Sequence, residues 1–299
     1  MSHNLPLAQR YFIEASLARI TKDNQRAIVG YESLAKSFPH NLDVQFALGS
    51  LYEDAGDWDK ARSCYENVLK AEGKNLNALL SIGRVEIKAG NPEKSLDPLD
   101  DARHLAIDLD NQEQQALVLQ ATGIAYKWLN KPAEALRNYQ DSMAINQRLG
   151  QKRGVAASLV EIGQVQLSLG KPDAALTAYH DALKIRQEIG ATKEAGDTLI
   201  DLGDLYLERG YPDKALQMYK ESLQIQRDAG DQTNQALCLS NIGTAYLRMT
   251  ENENAVLYLQ QALKIREKLN VPGETAQTLR NLGTAYANLG QYDQAMAVW

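Results

Sequence analysis

The 299-residue sequence has only two cysteines, three phenylalanines and no basic run. Its net charge is −6 with 32 basic residues, which argues against a nucleic-acid partner because phosphate-backbone binding needs clustered Lys and Arg. No apolar stretch approaches the roughly 18 residues of a membrane span, and the N-terminus has no signal-peptide pattern. Cys64 and Cys238 have no metal-type spacing, so we expect reduced thiols, a cytoplasmic protein and no membrane partner.

Catalytic and cofactor-binding motifs are absent as well. The sequence contains no GxxxxGK[ST], GxSxG, HExxH or GxGxxG, so the usual phosphate-binding, nucleophile, zinc and dinucleotide patterns are missing. The histidines, at positions 3, 40, 104 and 180, are not paired at ligand spacing. We therefore predict a protein that is not an enzyme, with no cofactor and no metal site.

What the sequence does have is an internal repeat, which decides the architecture. A glycine in an apolar helical context recurs at steps of 34 and then 40 residues. These glycines are Gly49, Gly83, Gly123, Gly163, Gly203, Gly243 and Gly283. A small residue follows 12 positions later, and a large one 16 positions later. In the first repeat Ala15 takes the place of the glycine, so the large residues are Tyr31, Tyr65, Leu99, Tyr139, Tyr179, Tyr219, Leu259 and Trp299. We interpret all of these landmarks as packing residues of about eight helical hairpins.

Turn signals separate the two helices of each hairpin, here called helix A and helix B. GKPD (170–173) and GYPD (210–213) are typical: glycine ends helix A in the left-handed conformation, and proline opens helix B. Helix B is predicted to stop at Gly150, Gly190, Gly230 and Asn270. The third repeat departs from the pattern, because Pro98 falls within its helix B and predicts a bent or weak point.

The sequence resembles the tetratricopeptide repeat family through the motif L/I-G-x-x-Y at 202–206, 242–246 and 282–286, together with the alanine and tyrosine of helix B. The resemblance implies an all-α, right-handed superhelical solenoid. In it, helix A lines a concave groove that binds proteins or peptides.

Residues 1–299 are predicted to form one such solenoid domain. Residues 1–108 would hold three 34-residue-type repeats, and 109–299 five 40-residue-type repeats, the last truncated. The longer units, with phrases such as ALKIRQEIG (182–190), resemble the subtype found in kinesin light chain and in polarity adaptors that bind Gα regulators.

Four acidic residues form a stripe on helix A of the sixth repeat, at Asp197, Asp201, Asp204 and Glu208. At about 100° per residue they lie opposite the packing face that contains Leu199, and the resemblance places them in the groove. One interpretation is a solvated helix face with screened charges. The other is a binding site for a Lys- or Arg-rich segment, since like charges three and four residues apart otherwise destabilise a helix.

The corresponding groove positions of neighbouring repeats complete the predicted peptide-binding site. They are Glu161, Gln164, Asn241, Thr244, Arg248, Arg280, Asn281 and Asn288. Asn241 and Asn281 match family asparagines that hydrogen-bond a ligand's backbone. In the third and fourth repeats the same positions are basic (Arg84, Lys88) and apolar (Ile124, Trp128). No three consecutive repeats present the Lys, Asn and Arg set of the family's chaperone-tail clamp.

The sequence therefore predicts a non-catalytic scaffold that binds a protein or peptide partner. The alternative is a regulatory or substrate-docking arm of a larger multidomain signalling enzyme, cut at Trp299. The chain stops early in the last helix B, so self-association through the C-terminal end is a further expectation, because solenoid ends usually carry a polar cap.

Overall fold

The computed structural model describes residues 7–21 and 23–299, with side chains in the first helix described for residues 12–13 and 16–21. The described residues form sixteen α-helices and no strand. The helices are, in chain order, α1 (Leu7–Ile20), α2 (Asn24–Ser37), α3 (Leu42–Asp54), α4 (Trp58–Glu72), α5 (Leu76–Lys88), α6 (Pro92–Asp108), α7 (Gln112–Trp128), α8 (Pro132–Arg148), α9 (Lys152–Ser168), α10 (Pro172–Glu188), α11 (Thr192–Glu208), α12 (Pro212–Asp228), α13 (Gln232–Arg248), α14 (Asn252–Leu269), α15 (Pro272–Asn288) and α16 (Tyr292–Val298).

The chain divides into two compact units, residues 1–149 and 150–299. Unit 1 contains α1 to α8, and unit 2 contains α9 to α16. Within each unit every odd-numbered helix packs on the next even-numbered helix, which in turn packs on the helix after it. The odd-numbered helices are the predicted A helices and the even-numbered ones the B helices, so the all-α fold of helical hairpins is confirmed.

The glycine of helix A and the large residue of helix B close each hairpin. A Cβ atom added to Gly203 would lie 2.4 Å from Cε1 of Tyr219, whose side chain is completely buried. The same close contact joins Gly49 to Tyr65, Gly83 to Leu99, Gly123 to Tyr139, Gly163 to Tyr179, Gly243 to Leu259 and Gly283 to Trp299. The interpretation of these landmarks as packing residues is confirmed for the pairs from Gly49 to Gly243, whereas Trp299 contacts Gly283 but is 69% exposed.

The turns adopt the predicted left-handed conformation. Gly210 follows helix α11 with a φ of 78°, and Pro212 then begins α12. In the seventh repeat, which lacks the glycine, Thr250 takes the same region with a φ of 62°. The predicted stops of helix B also have positive φ angles, at Gly150, Gly190, Gly230 and Asn270.

Helix α6 continues through Pro98 from Pro92 to Asp108, so the predicted weak point does not interrupt the helix. In the same repeat Glu86 replaces the tyrosine of helix A and is buried. Arg62 of α4 donates a hydrogen bond of 2.8 Å to its carboxylate. The departure from the repeat pattern is therefore accommodated by a partly buried ion pair and an intact helix.

Successive hairpins of unit 2 are joined by hydrogen bonds from helix B to a tyrosine on the next helix A. Lys220 donates to the Tyr246 hydroxyl at 3.2 Å, and Gln260 donates to the Tyr286 hydroxyl at 2.8 Å. Because these links recur 40 residues apart, they hold the A helices of unit 2 in a regular order. No helix in the described part of the chain has the length and apolar character that a membrane crossing requires.

Candidate functional site

The A helices of unit 2 share one surface. Helix α13 contacts both α11 and α15 directly, and the charge of Glu161 on α9 acts on Asp201 of α11, so residues of neighbouring A helices come together on α9, α11, α13 and α15. We call this surface the A-helix face of unit 2. It carries all twelve residues predicted for the binding site.

Five carboxylates gather on this face around Asp201, and we call them the acidic patch: Asp197, Asp201, Asp204 and Glu208 of α11, with Glu161 of α9. Asp201 is half-buried, and burial, helped by the neighbouring Asp204, raises its pKa to about 7. Asp197 and Glu161 act in the same direction, whereas Arg186 opposes them. The patch therefore holds a carboxylate whose ionisation is costly at neutral pH.

Asp204 is held in place by two donors from outside its own helix. The Tyr219 hydroxyl of α12 donates to it at 2.6 Å, and the Asn241 amide of α13 donates at 3.0 Å. Burial raises the Asp204 pKa, the hydrogen bond from Tyr219 lowers it, and Glu208 raises it. The exposed carboxylate of Asp204 is thus fixed in position beside Asp201.

Asp197 is fixed in a similar way at the N-terminal end of the stripe. Gln226 of α12 donates to it at 3.2 Å, and Asn234 of α13 donates at 3.1 Å. Burial raises the Asp197 pKa, while the hydrogen bond from Gln226 and the charge of Arg186 lower it. Two of the four stripe acids are therefore tied to the following repeat.

The predicted groove asparagines have partners inside the protein. Asn241 donates to Asp204, and Asn281 donates to the Thr244 hydroxyl at 3.1 Å. Both bonds join residues 37 positions apart, so they form a ladder of amides across α11, α13 and α15. Both asparagine amides therefore already donate one hydrogen bond within the protein.

The remaining predicted residues lie on the same face. Gln164 is half-buried on α9 and already has an interaction within the protein. Arg248 and Arg280 are exposed, on α13 and α15. Asn288 is bonded to Asn252 at 2.9 Å. The structure thus groups the acids with Asn241, and places the arginines and Asn288 on the next two A helices.

Three residues of the site escaped the sequence interpretation: Tyr219, Gln226 and Asn234. The repeat pattern makes Tyr219 a packing residue with a hydroxyl free for a partner, but it does not identify that partner, which is Asp204. Gln226 lies 40 residues from both Arg186 and Arg266. The change from arginine to glutamine at this repeat position is the sequence feature that could have indicated a special role. Its side chain is completely buried.

The described residues contain no group of three or more His, Cys, Asp or Glu side chains arranged to hold a metal ion. Cys64 and Cys238 are buried and unbridged, and burial raises the pKa of each thiol to about 11. Such thiols are poor nucleophiles and poor metal ligands, because the thiolate is the reactive form.

Comparison with known protein families gives matches along much of the chain. Residues 115–188, 154–228, 194–268 and 235–298 match the family described as Tetratricopeptide repeat. Residues 46–110 match a second family model, which has the same description. No curated protein sequence matches the chain.

Three solved structures illustrate the similarity of fold. BtubC from P. vanneervenii is 18% identical with a TM-score of 0.60, over 89% of this chain and 94% of that one. A signal transduction ATPase with numerous domains from Pyrococcus horikoshii, which carries a tetratricopeptide repeat sensor, is 17% identical with a TM-score of 0.72. That match covers 99% of this chain but 46% of the ATPase chain.

The third structure contains the repeats of a Podospora anserina protein assigned as a kinesin light chain. It is 15% identical with a TM-score of 0.56, over 65% of this chain and 96% of that one. Such identities show the fold alone. They confirm the helical-hairpin repeat and the resemblance to kinesin light chain repeats that the sequence indicates.

Proposed function

The chain belongs to the tetratricopeptide repeat family, and we propose that it is a non-catalytic scaffold that binds a Lys- or Arg-rich protein segment on the A-helix face of unit 2. Folds of this family generally serve as interaction scaffolds. The observation that carries the finer proposal is the acidic patch, in which burial raises the Asp201 pKa to about 7. A bound cation would stabilise the ionised patch, because an opposite charge nearby favours the charged form of a carboxylate.

The hydrogen bonds within the patch support recognition by a preformed surface. Asp197 and Asp204 each have two donors from neighbouring helices, so little ordering is needed when a partner arrives. Each carboxylate keeps lone pairs that a guanidinium or ammonium group can bind. Each amide of Asn241 and Asn281 has a second N–H, which would donate to the backbone of an extended segment while the first keeps its bond within the protein.

Charge reversal at the patch tests this proposal. Asp201→Lys combined with Asp204→Lys is expected to lower the affinity for a fluorescein-labelled Arg-Ser repeat octapeptide by roughly tenfold or more, because it replaces attraction by repulsion across a partly desolvated contact. Fluorescence anisotropy at two salt concentrations measures the affinity and its screening.

The matched control is Asp181→Lys combined with Asp228→Lys, two exposed aspartates of α10 and α12. This variant has the same change in net charge away from the A-helix face. An equal loss of affinity in both variants would mean that net charge alone attracts the peptide. Unchanged affinity in the patch variant would show that the patch is only a solvated face.

A second candidate function is a sensor or docking arm of a larger signalling enzyme. It is favoured by the match to the P. horikoshii ATPase, since this chain spans less than half of that protein. The mass of the native protein distinguishes the two: a mass well above the 33.2 kDa of this chain supports the arm.

A further inference from the structure

A cavity of about 400 Å³ opens between α5 and α7 of unit 1. Leu80 and Ile87 of α5 and Ala121 of α7 form its floor, and all three are buried. Ile124 also lines the cavity, and the exposed lining residues Leu117 and Arg84 mark its rim. Its volume falls within the roughly 300–1,000 Å³ that is usual for ligand pockets. We call it the α5–α7 pocket.

The pocket is built into the packing of the repeats. Helices α5 and α7 contact each other directly, and their glycines, Gly83 and Gly123, hold them close to Leu99 of α6 and Tyr139 of α8. The small Ala121 leaves space between the larger side chains on either side of it. The cavity therefore needs no rearrangement to exist.

Its apolar surface distinguishes this part of unit 1 from the A-helix face of unit 2. At the position of Ala121 the later repeats have Glu161, Asp201, Asn241 and Asn281. The rim residue Leu117 is 48% exposed, and Trp128, one turn beyond Ile124, is 65% exposed. An apolar cavity that continues into an exposed apolar side chain such as Leu117 is typical of a contact surface.

The charge at the rim is positive. Among the described residues, the pocket lining contains Arg84 and Lys88 and no acidic side chain. Lys88 is committed to Glu53, at 2.7 Å. Arg84 is exposed and takes part in none of the ion pairs or hydrogen bonds within the described residues. Its guanidinium is therefore the cation available to a ligand.

We propose that the α5–α7 pocket binds a protein segment that presents an aliphatic side chain beside a carboxylate. The aliphatic side chain would occupy the floor formed by Leu80, Ile87 and Ala121. The carboxylate would pair with Arg84, whose planar donor fork suits a carboxylate. This site lies outside the residues proposed for the basic segment, and it has the opposite charge preference.

Binding of a designed peptide tests the proposal on the full chain. The probe is fluorescein-labelled Ser-Leu-Glu-Leu-Glu-Leu-Ser, compared with versions in which both Glu residues are Gln or Lys. We expect the Glu peptide to bind at least fivefold more tightly than the Gln peptide, and the Lys peptide to bind most weakly. Equal affinity of the Glu and Lys peptides would overturn the charge assignment.

Two single variants locate the site. Arg84→Gln and Leu117→Asp, both at exposed positions, are each expected to lower the affinity for the Glu peptide tenfold or more. Lys94→Gln, an exposed lysine of α6, removes the same charge elsewhere and should leave the affinity within twofold. Circular dichroism establishes that the variants remain folded. Retention of affinity by Arg84→Gln would overturn the proposal.

The variant Asp201→Lys with Asp204→Lys separates this site from the proposed function. The Glu peptide should bind this variant as it binds the parent chain, whether or not the Arg-Ser peptide is lost. A matching loss of the Glu peptide in this variant would show that it does not bind in the α5–α7 pocket.

Discussion

Asp201 has the most strongly perturbed carboxylate of the acidic patch. Its pKa rises from the ordinary 3.8 to about 7, mainly through burial and then through Asp204. Between these two pH values the folded chain binds more protons than the unfolded chain. The contribution of Asp201 to the free energy of unfolding therefore falls as the pH rises from about 4 to about 7, and it stays at the lower level above pH 7.

Asp201→Asn is expected to remove this dependence. The variant should match the parent near pH 4 and be more stable at pH 8, by roughly 1–2 kcal/mol once solvent screening is allowed for. Urea unfolding at pH 4.5, 6 and 8 measures the difference. Asp181→Asn, at an exposed aspartate of α10, should show no comparable gain. A stability gain for Asp201→Asn that is equal at all three pH values would contradict the ionisation argument.

At the scale of the helical hairpin, the contact between glycine and tyrosine sets how closely helices A and B approach. Gly203→Ala would place Cβ 2.4 Å from Cε1 of Tyr219. That ring is fully buried and its hydroxyl is bonded to Asp204, so it cannot move freely. We expect a loss of about 1–3 kcal/mol in the free energy of unfolding, which is typical of overpacking.

Gly273 provides the matched control. It lies in the first turn of α15, and a Cβ there would meet no atom within 4 Å. Gly273→Ala should leave stability unchanged or raise it by up to ~1 kcal/mol, because alanine is the better helix former. Urea unfolding of both variants gives the comparison. Similar losses in the two would mean that the glycine effect is local propensity and not packing between helices.

The helical hairpins could be predicted from the sequence because their determinants are local and periodic. Gly203 and Tyr219 occupy fixed positions within one repeat, so eight copies of the pattern reinforce one another. The turn at Thr250 shows where prediction from residue type stops. The residue is not glycine, yet it adopts the left-handed conformation that the turns of the other repeats have.

The site could be predicted only in part, because its bonds join different helices, some of them in different repeats. A helical wheel places Asp197, Asp201 and Asp204 on one side of α11, opposite the packing face, whereas Asp197 and Asp204 each accept a hydrogen bond from helix α12. It does not show that Gln226 and Asn234 bond to Asp197, since these depend on how the following helices pack. Nor does it show the α5–α7 pocket, which arises where Ala121 faces larger neighbours on another helix.

At the scale of the whole molecule, the two proposed sites lie in different units and have opposite charge. The acidic patch belongs to α9 and α11 of unit 2, and the α5–α7 pocket belongs to unit 1. Each repeat contacts mainly its neighbours, so removing one should leave the others folded. The 40-residue spacing allows one repeat to be deleted between equivalent positions. Gly190 and Gly230 follow their helices with nearly the same φ angle, 67° and 69°.

Deletion of residues 191–230 joins Gly190 to Asp231 and removes α11 and α12, with four of the five acids of the patch. We expect the shortened chain to keep its helical circular dichroism per residue and to unfold at a lower urea concentration, since one packed interface is lost. The Arg-Ser peptide should lose its affinity, whereas the Ser-Leu-Glu-Leu-Glu-Leu-Ser peptide should bind within twofold of the parent. Fluorescence anisotropy with both peptides gives the result, and loss of both in a chain that remains helical would contradict the assignment of the two sites to separate units.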